Sequence, residues 1–134
     1  MPDHTPTPRI HSALDELLNQ QERPLEEVLD RHFSPAYRQR TNGCWEDRAG
    51  FARHARRLRE LVAVCRIEVL DALHDGSHYA DRHRVHVLKR DGTRVVQEVY
   101  LFAELDAQGR FVRVEETTLM LEGAEADREM GSVQ

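Results

Sequence analysis

Three ionisable residues in the C-terminal half could do acid/base chemistry together: Glu116, His86 and Arg84. A carboxyl group in a partly apolar cavity binds its proton more tightly unless a cation pairs with it. An imidazole beside it exchanges protons near neutrality, and a guanidinium steadies a developing oxyanion. The same three side chains also fit a buried ion pair that only neutralises itself. Arg82, Gln97, Leu101 and Thr118 would line the ligand space around this centre, and Asp71 with Arg82 reads as a structural pair at its base. His74, His78, His83 and His86 invite a metal reading, which their spacing opposes. His83 and His86 point to opposite faces of a strand, and no His-x-His sets two imidazoles on one side. No metal site is therefore expected. No Gly-rich phosphate loop, nucleophile elbow or Cys-His pair occurs.

The elements that must position this centre lie between Val64 and Leu121, which read as four strands joined by three tight turns. The turns are Asp75-Gly76, Asp91-Gly92 and Asp106-Ala107-Gln108-Gly109. Asp-Gly between alternating runs is a strong hairpin signal, because a type I′ turn needs φ > 0 at both central residues. Taking the first two as two-residue loops and the third as four residues sets the register, and with it the facing of every side chain. One face then carries Cys65, Ile67, Val69, Asp71 and Leu73, the even residues Ala80 to Leu88, the odd residues Val95 to Ala103, and the even residues Val112 to Met120. The odd positions from Cys65 to Leu73 are apolar except Asp71, so this face is assigned to the interior. Arg84, Val99 and Glu116 then form one lateral row, with Arg84 and Glu116 roughly 10 Å apart at the backbone, two strand spacings. His86, Gln97 and Thr118 form the next row. The opposite face, including Tyr79, Asp81, His83, Val85, Tyr100 and Phe102, mixes aromatics with charges and suits a dimer partner. A bulge in any turn would flip part of this assignment.

The chain has 134 residues, one domain by size. Its formal net charge of −5 disfavours a general nucleic-acid role. No apolar run approaches membrane-spanning length and no signal segment opens the chain. Cys44 and Cys65 form no metal or redox spacing and read as free thiols in a reducing cytoplasm.

Residues 1–9 read as a flexible lead-in, with Thr7 able to cap a helix and Pro8 at its first position. Ile10, Leu14, Leu17 and Leu18 recur at helical spacing. Pro24 restarts a short helix with Leu25, Val28 and Leu29 inward and an acidic outside. Ser34 to Gly43 is extended around Tyr37, and Asn42-Gly43 signals a turn. Asp47 can cap a third helix with Phe51, Ala55, Leu58 and Val62 inward and Arg48, Arg53, His54, Arg56, Arg57 and Arg59 outward. That basic face is expected to be a solvated surface or to pair with the acidic second helix. Residues 122–134 read as an acidic tail, leaving 10–121 as a single α+β domain: N-terminal helices packed in a strongly curved antiparallel sheet, cone-shaped, with an internal pocket.

This element order, with the extended Tyr37-Arg38-Gln39-Arg40 segment and the closing run Gly109-Arg110-Phe111-Val112-Arg113-Val114-Glu115-Glu116, resembles the nuclear transport factor 2-like superfamily. Within it the chain is similar to the SnoaL-like, polyketide-cyclase-type small proteins over about residues 10–121. The resemblance implies a cone with a pocket inside and a homodimer through the outer sheet face. It also implies one of two classes of function: cofactor-independent acid/base chemistry on a small organic molecule, such as isomerisation, cyclisation, dehydration or hydrolysis, or non-catalytic ligand binding or protein association. Limonene-epoxide hydrolases of this superfamily carry Arg-x-Asp where this chain has Arg84-Val85-His86, and a further Asp where it has Glu116. Ketosteroid isomerases carry carboxylates near the positions of Leu101 and Arg40, and neither is present here. The family pattern also sets Arg40 and Trp45 near the cavity mouth, as candidates to hold an acidic or aromatic ligand.

Overall fold

The structure, a computed structural model, describes residues 9–131. Of the lead-in expected over residues 1–9, residues 1–8, with the Thr7 cap, lie outside the described residues, and Arg9 opens the first helix. Helices α1 (Arg9–Leu18) and α2 (Leu25–His32) are followed by strand β1 (Phe33–Thr41), a short β2 (Cys44–Asp47), helix α3 (Arg48–Leu61) and four long strands. These are β3 (Val62–Asp75), β4 (His78–Lys89), β5 (Arg94–Leu105) and β6 (Phe111–Glu122). A 3₁₀ helix over Glu125–Gly131 ends the described chain.

Helices α1 and α2 bury the stripes their sequences dictate, whereas α3 buries Phe51 and Ala55 as expected and also His54, expected outward, because that side of the helix lies over the cavity. Ile10, Ala13, Leu17 and Leu18 of α1 and Val28, Leu29 and His32 of α2 are buried. Asp47 caps α3, its Oδ1 accepting from the Gly50 amide at 2.8 Å, as an N-cap Asp must to satisfy an orphan donor. The basic face of α3 does meet the acidic α2, through Arg48–Asp30 at 2.8 Å and Arg56–Glu26 at 3.0 Å. Arg59 donates instead to the carbonyls of Leu17 and Arg23, tying α3 to the end of α1.

The six strands form one curved sheet in the order β2-β1-β6-β5-β4-β3. All neighbours are antiparallel except β1 and β6, which run parallel, so the sheet is mixed where the sequence suggested an antiparallel one. The helices cover its concave face. Phe33, Tyr37 and Phe51 pack there with ring centroids 4.8 to 5.0 Å apart, and Phe111 is fully enclosed beside them. Each such large buried side chain contributes about 1.5–3 kcal/mol.

The strand registers differ from the expected ones at each turn. At the third hairpin Leu101 pairs with Glu116 and Val99 with Thr118, a slip of two residues. A two-residue slip preserves facing, so the odd residues of β5 and the even residues of β6 do point inward. At the second hairpin the loop has three residues. Lys89 N donates to Thr93 O at 2.9 Å, Gly92 N donates to Lys89 O at 3.0 Å, and Gly92 takes φ +89°. A type I turn closed by a glycine in the left-handed region displaces the register by one. Every side chain of β4 therefore changes face: Tyr79, Asp81, His83, Val85 and Val87 lie inside, while Arg82, Arg84 and His86 lie outside. A bulge between Val69 and Asp71 compensates in β3, so that Cys65 and Ile67 stay inside while Asp71 and Leu73 turn outward.

Candidate active site

The correction to β4 brings a different set of groups into the cone. Along its inner face Tyr79, Asp81 and His83 stand at alternate positions, all nearly inaccessible. Tyr79 Oη donates to Asp81 Oδ2 at 2.6 Å, and His83 Nδ1 lies 2.7 Å from Asp81 Oδ1. Burial, and then the hydrogen bond to Asp81, pushes the Tyr79 phenol far up, so it keeps its proton and remains a donor. Both Asp81 oxygens are thus occupied as acceptors, which places the neutral-imidazole proton on His83 Nδ1 and leaves Nε2 as the nitrogen free to take one.

Glu116 faces this dyad across β5. Asp81, Leu101 and Glu116 form one row of the ladder, and His83, Val99 and Thr118 the next. Desolvation raises the Glu116 carboxyl above its ordinary value, although the nearby His83 and a hydrogen bond from Thr41 Oγ1 at 3.1 Å work the other way. Behind Thr41 the inner side of β1 continues the network. Gln39 Nε2 donates to Thr41 Oγ1 at 3.1 Å and to Glu46 Oε1 at 2.9 Å, and Tyr37 Oη donates to Gln39 Oε1 at 2.7 Å. Burial also pushes Tyr37 well up.

His83, Glu116, Thr118, Gln97, Gln39, His54 and Tyr37 are the polar groups lining an internal cavity of about 110 Å³. Its walls are apolar side chains of α1, α3, β4 and β5, with Leu101 among them. The 3₁₀ helix closes one side, where a tail was expected. Met130 is buried against the cavity, Gln97 Nε2 donates to Asp127 O at 3.1 Å, and Lys89 Nζ lies 2.9 Å from Asp127 Oδ1.

Of the residues singled out from sequence, Glu116, Gln97, Leu101 and Thr118 line this cavity. The row expected to join Arg84 to Glu116 does not form. Arg84 pairs on the outer face with Glu98, which also accepts a hydrogen bond from Tyr100, and His86 pairs there with Glu68 at 2.9 Å. Arg82 meets Asp71 at 2.7 Å, directly opposed as a pair but outside the cavity. Arg40 is exposed and lies 3.7 Å from Glu115, and Trp45 is half exposed on β2 with the Arg38 guanidinium 4.8 Å above its ring. Tyr79 and Val85, expected at the dimer face, are interior. Asp81 and His83 escape the sequence reading because the assumed turn puts them on the wrong face. A usable signal is there: the odd positions of β4 hold Tyr79, Val85 and Val87, the even ones two arginines and two histidines. Among the described residues no group of three His, Cys, Asp or Glu side chains is arranged to hold a metal ion, and no helix is long and apolar enough to cross a membrane.

Comparison with known proteins follows the same lines. Residues 14–114 match the family described as SnoaL-like domain. An uncharacterized protein of Schizosaccharomyces pombe, C11D3.04c, is 33% identical over 108 residues, spanning 81% of this chain and 82% of that protein. Among solved structures, a nuclear transport factor 2-like protein of unknown function from Exiguobacterium sp. 255-15 superposes with a TM-score of 0.65 at 16% identity, covering 84% of this chain and 98% of that one. A Shewanella denitrificans protein named for the SnoaL-like polyketide cyclases superposes with a TM-score of 0.66 at 8% identity, covering 83% and 88%. At these identities the likeness shows the fold.

Proposed function

Because the chain belongs to the SnoaL-like domain family, we propose that it is a cofactor-independent acid/base enzyme acting on a small organic molecule held inside the cone. One observation carries this reading. A buried Asp81–His83 dyad and a carboxyl, Glu116, whose protonated form desolvation favours, face one largely apolar cavity. An imidazole held by a carboxylate and a carboxyl whose desolvation favours its protonated form supply a base and an acid in one cavity. His83 Nε2 takes a proton from a carbon or hydroxyl of the ligand, with Asp81 holding the ring and balancing the imidazolium. Glu116 donates to the oxygen on which charge develops. Thr41 and Gln39 orient Glu116 from behind. The names of an isomerase and a polyketide cyclase among its structural neighbours are compatible with such a proton transfer.

The elementary step can be tested without the natural substrate. Small ketones incubated with the protein in D₂O should exchange their α-protons faster than the buffer rate, by nuclear magnetic resonance. His83→Ala and Glu116→Gln should each remove the enhancement. Equal exchange by wild type and His83→Ala sinks the assignment.

The modest cavity favours a second reading, since ligand pockets usually run to about 300 Å³ or more: a binding or association module of the same fold. Absence of exchange on any ketone, with ligand binding retained, selects it. The exposed apolar residues Leu73, Tyr100 and Phe102, neighbours across β3, β4 and β5 on the outer face, support a homodimer through that face. An exposed free thiol at Cys44 supports a reducing, cytoplasmic setting.

A further inference from the structure

The charges inside and outside the cone are sorted, and the sorting bears on the ligand. All 19 arginines and lysines fall within the described residues, and none lines the cavity. They are spent elsewhere: on the acidic outside of α2, on backbone carbonyls at Arg59, and on the carboxylates of the outer sheet face at Arg82 and Arg84. Among the described residues the acids on the inner side are Glu116, lining the cavity, Asp81 behind His83 and Glu46 beyond Gln39, and the basic groups lining the cavity are the imidazoles of His83 and His54. Asp81 already engages His83, and His54 too has a partner. An incoming carboxylate or phosphate would find no guanidinium or ammonium and would lie near these acids in a poorly solvated space.

The cavity does offer a desolvated carboxyl at Glu116, a hydroxyl at Thr118 and a ring nitrogen at His83, a set that satisfies one uncharged oxygen. Apart from Tyr37, Gln39, His54 and Gln97, the rest of the wall is hydrocarbon. A cavity of about 110 Å³ is somewhat smaller than the ~150 Å³ space that accommodates benzene.

We infer that the ligand of this cavity is an uncharged compound with one carbonyl or hydroxyl oxygen and an apolar body no larger than a small ring, and that anionic metabolites are excluded from it. This rests on the cavity being the ligand site proposed above, though not on any catalysis there.

Three compounds of nearly one shape separate the possibilities: 3,3-dimethylbutan-2-one, pivalate and pivalamidinium, which are neutral, anionic and cationic versions of a tert-butyl group on a planar head. Each is titrated at pH 7 into the ¹⁵N-labelled full chain, following the amides of Val85, Val99 and Leu101. The ketone should shift these amides saturably, and pivalate should bind more weakly by roughly tenfold or more. Pivalate binding as well as the ketone overturns the inference, as does tighter binding of the amidinium. So does a ketone that shifts none of these amides at tens of millimolar. The outcomes separate from those of the proposed chemistry. Ketone binding without His83-dependent proton exchange leaves the ligand class standing and sinks the catalysis. Exchange that is fastest on a ketone bearing a carboxylate does the reverse.

Discussion

Asp81 Oδ1 lies 2.7 Å from His83 Nδ1 inside the cone, two residues apart on one strand, while the intervening Arg82 side chain points the other way to Asp71. That single alternation decides which imidazole meets the cavity, and the predictions follow from it.

Asp81→Asn keeps the shape but lets the amide nitrogen face His83, favouring the tautomer with its proton on Nε2. Ketone exchange should fall by about 10²–10³-fold, and thermal stability by about 1–3 kcal/mol through weakened buried hydrogen bonds. Exchange measured beside a thermal melt checks both. A wild-type rate in Asp81→Asn removes the dyad from the mechanism.

Arg84→Ala and His86→Ala act on the outer face, where their partners are Glu98 and Glu68. The His86–Glu68 pair is partly exposed and contributes little, so His86→Ala should leave stability nearly unchanged, whereas Arg84→Ala strips the cation from a nearly inaccessible Glu98 and should lower it; both should exchange ketone protons at the wild-type rate. A large rate loss in either variant would return those residues to the active centre.

Glu116→Gln reports on burial through pH. The folded carboxyl binds its proton more tightly than the unfolded one. Folding therefore takes up a proton, and this contribution is fully present below the unfolded value of about 4.3 and lost as pH rises through the raised folded value. The side-chain amide of the variant does not titrate in this range. Paired urea titrations from pH 4 to pH 8 should show the variant gaining on wild type as pH rises. A constant difference would mean that Glu116 is not desolvated.

The 3₁₀ helix is latched by Asp127, which accepts from Lys89 Nζ and from the Ala124 amide. The Lys89 ammonium, then the Ala124 amide, holds the Asp127 carboxyl below its ordinary value. The latch therefore persists at neutral pH and is lost only as pH falls through that lowered value. Asp127→Ala should weaken the segment by about 2 kcal/mol, seen as faster amide exchange over residues 124–131, and Met130→Ala should admit bulkier ketones by removing a wall of the cavity. Unchanged exchange in Asp127→Ala would show that the segment is held by something else.

Phe102 is 72% exposed beside Tyr100 and Leu73. If this face joins two copies, Phe102→Glu should convert a dimer into a monomer in sedimentation equilibrium, with the fold intact by circular dichroism. A wild-type protein that is already monomeric at high micromolar concentration rejects the interface.

Much of this protein was determined by its sequence. Helical spacing located α1, α2 and α3, Asp47 announced its cap, and turn residues located the three hairpins. The alternation in β5 and β6 directed Gln97, Leu101, Glu116 and Thr118 inward, because a slip of two residues leaves facing untouched. Tertiary structure alone decided the facing of β4. Asp91-Gly92 serves equally in a two-residue loop and in a three-residue loop with its glycine in the left-handed region, and the two give opposite faces. Local chemistry does not separate them. Burial does: the helices can cover Tyr79, Val85 and Val87 but not two arginines, and that preference, acting through the whole packed layer, brought Asp81 and His83 inside.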